Sequence, residues 1–273
     1  MPKTAVICVG DTHINSTVAL CPPSVNLDDG GTYRASKKQR ALWEAWLDFW
    51  GEMQRLDVDR RIVILNGDLG ELDTKRRSYQ IVTPNKATIL NMAINALEPV
   101  LDVSDGLVVI RGTLAHTGKS AWLEEAIAND IDTTIHDNGT ASFWHFRGEF
   151  EGVRFDVAHH ASMGRLPWTE ANAGNKIAAV ITARYNEMGS PLPHVAIRSH
   201  NHRRSDSGRN FYTRAVCLPC WSSKTEFAHR IGQENSVPAI GGDVFICENG
   251  KYQWIDYRYQ PFPTGRRIWS IKL

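Results

Sequence analysis

An α/β fold with a largely parallel sheet is predicted by three features of this 273-residue sequence. Residues 5–9, 61–65 and 106–110 are short apolar runs, the pattern of strands buried on both faces. Amphipathic segments alternate with them, and strand–helix alternation implies right-handed crossovers between parallel neighbours. Each run meets a glycine within two residues, with an aspartate or histidine close behind. Open α/β sheets place their chemistry at such strand ends.

The elements follow in order. The first strand stops at Gly10-Asp11-Thr12-His13 and leads into a polar connection, residues 14–34, long enough for a lid or insertion. Residues 35–56 carry Leu42, Trp43, Trp46, Leu47, Trp50 and Met53 at helical spacing, a stripe that reads as core packing. The second strand ends in Asn66-Gly67-Asp68-Leu69-Gly70-Glu71. Residues 84–101 form a second helix. The third strand runs into Arg111-Gly112-Thr113-Leu114-Ala115-His116, and a short helix occupies about 119–129. The style then changes. Residues 142–149 and 153–158 read as a hairpin whose second arm ends in His159-His160. A helix over about 169–187 precedes a strand, 194–198, that ends in Ser199-His200-Asn201-His202. Residues 211–218, 243–248 and 251–257 are further strands, the last two joined by an Asn249-Gly250 turn. With no repeat, low-complexity tract or linker, residues 1–273 read as a single domain.

Composition bounds the function. A net charge of +1 provides no global field for nucleic acid or membrane. No stretch approaches the roughly 20 apolar residues of a membrane span. Met1-Pro2-Lys3-Thr4 has no signal-peptide layout, so the five scattered cysteines read as reduced thiols of a cytoplasmic protein. Cys217-Leu218-Pro219-Cys220 has redox-motif spacing but follows an apolar strand, which favours two half-buried thiols. The basic clusters Lys37-Lys38-Arg40 and Lys75-Arg76-Arg77 read as solvated patches.

Five strand ends thus carry Asp11/His13, Asp68, His116, His159/His160 and His200/His202. Mixed imidazole and carboxylate donors suit Mn, Fe, Ni, Co or Zn, whereas an all-oxygen set favours Mg or Ca. The absence of cysteine at these positions argues against a structural zinc site.

The order Asp-x-His, Gly-Asp, Gly-x-x-x-His, His, His-x-His resembles the calcineurin-like metallophosphoesterases over about residues 5–202. It also resembles variants carried by bacteriophages and prophages, which would place the protein in a host cytoplasm. The resemblance implies a four-layer αββα sandwich with mixed sheets and a two-metal centre at the sheet edge. By position, Asp11, His13 and His202 would bind one divalent metal and Asp68 would bridge. His200 and one of the pair His159/His160, with His159 nearer the strand end, would bind the other. Manganese is the first expectation, with Fe, Zn, Ni, Co or Mg as alternatives. The family's glycine-asparagine-histidine motif departs here. Thr113 stands in the place of the asparagine and two extra residues precede His116. His116 is expected as the catalytic acid, or else as the missing ligand. Glu71 and Asn66 are expected behind the ligands. Arg111 and Arg203 are the candidate substrate-binding residues, with Arg165 and Arg204 beside the same motifs. The implied activity is hydrolysis of phosphate esters by a metal-bridging hydroxide, leaning towards phosphodiesters, nucleic acid among them. The alternatives are a phosphomonoesterase or protein phosphatase, and a non-catalytic binding protein on the same fold.

Overall fold

The computed structural model describes residues 2–74, 80–131, 133, 138–161, 169, 172–226 and 238–262. Arg165 and the Lys75-Arg76-Arg77 cluster lie outside the described residues.

The chain opens with β1 (Thr4–Val9), wholly buried. Residues 14–21 then run largely buried along the first layer, with bridges from Ile14 to Gly70, Ser16 to Ile81 and Ala19 to Ser222. β2 (Ser24–Asn26) and β3 (Thr32–Arg34) follow as a small hairpin. Helix α1 (Lys37–Gln54) starts two residues later than periodicity suggests, because Ser36 and Gln39 close a capping box there. Its buried face is Leu42, Trp46, Phe49, Trp50 and Met53, whereas Leu47, expected on that face, is 43% exposed. β4 (Arg60–Asn66), α2 (Lys86–Leu101, capped by Asn85) and β5 (Gly106–Ile110) complete the predicted alternation.

The next stretch differs from the single helix expected. Thr113 begins a one-turn α3 (Leu114–Thr117), a 3₁₀ turn covers Lys119–Ala121, and α4 runs over Trp122–Asp130. The expected hairpin arm 142–149 is also divided. β6 (Ser142–Phe143) pairs with β5, and after a bend at Trp144, β7 (His145–Phe150) pairs with β8 (Val153–Ala158). The chain changes sheets at Trp144, which a periodicity argument does not reveal. The remaining elements are α5 (Ala173–Glu187), β9 (Val195–Arg198), β10 (Ser205–Asp206), β11 (Arg214–Cys217), β12 (Ile240–Glu248) and β13 (Lys251–Tyr259).

Two mixed sheets result, in the orders β13-β12-β1-β4-β5-β6 and β10-β11-β9-β8-β7. Strand alternation sorts their side chains into layers. Ala5, Ile7 and Val9 face α1, α2 and α4, where Trp46, Phe49, Trp50 and Trp221 pack edge to face. Val6, Cys8, Ile64, Val108 and Ile110 face the second sheet, meeting Phe155, Val157, Val195, Ile197 and Val216. Ala196 and Ala215 point outward to Ala178, Ile181 and Tyr185 of α5. The architecture is a four-layer αββα sandwich, as the motif resemblance implies. All five cysteines are free and buried, so Cys217 and Cys220 sit deeper than half-buried. Among the described residues no helix is long and apolar enough to cross a membrane.

Candidate metal centre

Parallel pairing of β1, β4 and β5 brings their C-terminal ends to one edge, and the ends of β8 and β9 meet them from the second sheet. Backbone hydrogen bonds then tie the tips together. Asp11 N–H donates to the Gly67 carbonyl at 2.9 Å, His13 N–H to Asp68 at 3.0 Å, and Ser199 N–H to His159 at 2.8 Å. The tips approach so closely that Gly112 has no room for a side chain: a Cβ there would lie 2.2 Å from Asp68 N.

Asp11, His13, Asp68, His200 and His202 all have positive φ, between 43° and 77°. Left-handed backbone is uncommon for residues other than glycine, and such strain concentrates where the surroundings impose a functional geometry. Here it turns the side chains into one cluster. Asp11, His13 and His202 form one group, Asp68, His159 and His200 a second, and His13, Glu71 and His116 a third that shares His13 with the first, with the donor atoms of each within 4.8 Å of one another. Asp11 Oδ1 lies 3.4 Å from His202 Nε2, 3.7 Å from His13 Nε2 and 3.9 Å from His159 Nε2, so it touches both groups. Asp68 Oδ2 lies 3.0 Å from His159 Nε2 and 3.9 Å from His200 Nδ1.

The donor set fits divalent cations. Asp11 Oδ1 and His159 Nε2 are buried without a hydrogen-bond partner, although each has oppositely charged neighbours within reach. Buried polar groups are rarely left so unless something else binds them. His159 Nδ1 sits 2.7 Å from the Asn66 carbonyl, which fixes that nitrogen as the N–H and leaves Nε2 with its lone pair facing the cluster. His13 Nδ1 is likewise engaged by Glu71 at 3.2 Å, while its Nε2 faces His202 Nε2 at 2.9 Å. Two imidazole nitrogens converging this closely suit a shared cation. His160 stands outside, exposed, with its ring 5.2 Å from that of His200.

Without metal, protons take up part of the charge. Burial disfavours charge on His13, but hydrogen bonds with Asp11 and Glu71 outweigh it and raise its pKa to about 9. His159 also rises to about 9, against burial, through the charges of Asp68 and Asp11. The same pairs hold both aspartates below the usual carboxylate range despite burial.

The departure at Thr113 has a defined structure. Its N–H donates to Asp68 Oδ1 at 2.5 Å, and its hydroxyl reaches both carboxylate oxygens at 3.0 and 3.1 Å. The two extra residues are taken up as the α3 turn, which carries His116 away from Asp68, His159 and His200. His116 Nδ1 instead lies 2.6 Å from Glu71 Oε2, and its ring packs edge-on against His13. Burial works against the Glu71 charge, yet His116 and His13 draw its pKa down to about 2.

The arginines are placed unequally. Arg111 is bound by Ser142 and Glu125 and packs on Trp144. Arg204 is buried in a bidentate pair with Asp243, also contacting Asp256 and the Trp254 ring. Arg203 is partly buried. Sequence reasoning missed Glu124, fully buried on α4, whose carboxylate accepts from Leu69 N–H at 3.4 Å. Burial and the nearby Asp68 charge push it up to about 8. Nothing in the sequence marks it, since a glutamate early in a helix is ordinarily solvated.

No family model matches the chain, and no curated protein matches it. Similar solved structures do exist. A single mutant of Vps29 from Entamoeba histolytica is 9% identical, with 94% of this chain and 99% of that chain covered at a TM-score of 0.44. Zinc-complexed wild-type Vps29 of the same organism is 9% identical, covering 93% and 98% at 0.42. Yfce, a phosphoesterase from E. coli, is 11% identical, covering 92% and 97% at 0.41. The chain is similar to Vps29 proteins and phosphoesterases.

Proposed function

We propose that this protein is a metal-dependent phosphoesterase acting on phosphodiesters through a dinuclear centre. The observation that carries the reading is the pair of His/Asp groups meeting at Asp11, whose Oδ1 is buried without a hydrogen-bond partner. Asp11, His13 and His202 would hold one cation and Asp68, His159 and His200 the other, with Asp11 in reach of both groups. Bound divalent cations would supply Lewis acidity and lower the pKa of a coordinated water. Glu71 remains ionised at neutral pH and anchors His116 by Nδ1–H, leaving His116 Nε2 to give a proton to the leaving oxygen. Thr113 holds Asp68 in place through two donors. The diester preference is supported by the arginines. Arg111 is already paired with Glu125, and Arg204 with Asp243 and Asp256, so they offer little extra charge for a monoester dianion.

The test uses metal-stripped protein reconstituted with Mn²⁺, a bis-aryl phosphate and an aryl monoester, with Asp68→Asn as the blank. Diester turnover abolished in the variant is expected. Turnover of the monoester alone would contradict the diester reading. Silence on both, with no metal bound, would contradict the enzyme reading.

A further inference from the structure

A cleft of about 360 Å³ is lined in part by Leu72, Pro84, Lys86, Lys119 and Trp122. Its walls continue the two segments that carry the His116–Glu71 pair. Leu72 follows Glu71 directly, and Lys119 and Trp122 follow His116 within six residues. The Leu72 N–H donates to the His116 carbonyl at 2.7 Å, so cleft wall and His116 turn are one unit. The cleft thus shares its wall with the turn that carries His116.

Its chemistry is aromatic and cationic. Trp122 opens α4 and stays 37% exposed, although burying an indole is strongly favourable. The Lys86 ammonium lies 4.6 Å from the Trp122 ring centroid, which fixes a positive charge at the ring. Lys119 makes no ion pair among the described residues and lines the same cleft. Leu72 and Pro84 provide apolar surface, and Asp73 is the one acid among the described lining residues. An indole with two ammonium groups beside a phosphoester site matches a flat base joined to a phosphate. A cleft of this size takes one unpaired base, whereas a duplex keeps its bases stacked inside.

We propose that this cleft binds the nucleotide next to the scissile phosphate of single-stranded nucleic acid, with the base taking the place of the Lys86 ammonium on the Trp122 ring and its outer phosphate meeting Lys86 and Lys119. The proposal rests on the phosphoesterase reading.

Binding of a labelled oligothymidylate is measured by fluorescence anisotropy in EDTA, and turnover of methyl 4-nitrophenyl phosphate in Mn²⁺. Trp122→Ala should weaken oligonucleotide binding about tenfold, the range for loss of one base–aromatic stack. Trp122→Phe should retain most of the affinity, and neither change should alter small-diester turnover. Lys119→Gln should reduce the salt slope of binding by about one contact. Equal oligonucleotide affinity in all four proteins, with small-diester turnover intact, would overturn the cleft assignment and leave the phosphoesterase reading standing. Trp122-dependent binding without turnover of any diester would support the cleft and sink the phosphoesterase reading.

Discussion

His13 and His159 each face the cluster with one nitrogen and are anchored by the other, to Glu71 and to the Asn66 carbonyl. In the metal-free protein both carry pKa values of about 9, above the ordinary 6.5. Their protons therefore stabilise the metal-free fold fully below about pH 6.5, and this contribution is lost as pH rises through about 9. Two outcomes follow. The melting temperature of metal-free protein should fall across that window, and metal uptake near pH 7 should release protons. Calorimetric titration in buffers of different ionisation enthalpy reads the second directly, and buffer-independent heats would contradict it. His116→Ala should lower diester turnover about 10²–10⁴-fold with metal content unchanged, whereas a fall in metal content would make His116 a ligand together with His13 and Glu71. At this scale the Asp and His positions were legible, since Gly-Asp-x-His and His-x-His stand at the ends of apolar runs. The His116–Glu71 partnership was not, because it depends on how two inserted residues coil into α3. Glu124 was not legible either, because burial of a helical carboxylate depends on what packs over it.

Among the elements, α1 and α4 show how sequence pattern can fix a helix and yet leave its role open. The tryptophan stripe of α1 does form core, with the Trp46 Nε1–H donating to the Ala96 carbonyl at 2.9 Å. Trp46→Ala should cost about 3–5 kcal/mol in chemical denaturation, the range for removing a large buried aromatic. On α4, Glu124 has a folded pKa of about 8, raised from 4.5, so its contribution to stability falls as pH rises through about 8. Glu124→Gln keeps the shape without the acid. Its stability should be flatter between pH 4.5 and 8 than that of the wild type. A parallel profile would show that Glu124 is ionised in the fold. The β6–β7 break was invisible in the sequence. Both segments look extended, and only pairing with different partners separates them.

For the whole molecule, the parallel alternation of the N-terminal half was legible from period and punctuation. The second sheet, and the antiparallel addition of β12 and β13 beside β1, depend on long-range pairing that local pattern does not encode. The sheets meet through an apolar centre and are pinned by polar contacts. Thr4 and Arg60 bind Glu151. Arg204, just before β10, reaches Asp243 on β12. Arg204→Met should destabilise the fold by about 1–3 kcal/mol, because Asp243, already pushed up to about 7 by burial, would take a proton and keep only the Trp254 Nε1–H donor at 2.7 Å. Urea denaturation measures this, and a change below about 1 kcal/mol would mean that the pin is not needed.

The central claim is that the edge shared by the two sheets holds a pair of cations that serve phosphodiester hydrolysis. Its most direct measurement is metal content per chain after Mn²⁺ reconstitution, taken on the same samples as bis-aryl phosphate turnover, for the wild type and Asp68→Asn. The account predicts two metals and turnover in the wild type, and fewer metals with turnover lost in the variant. A wild-type protein that binds no metal, or turnover that survives in Asp68→Asn, would contradict it.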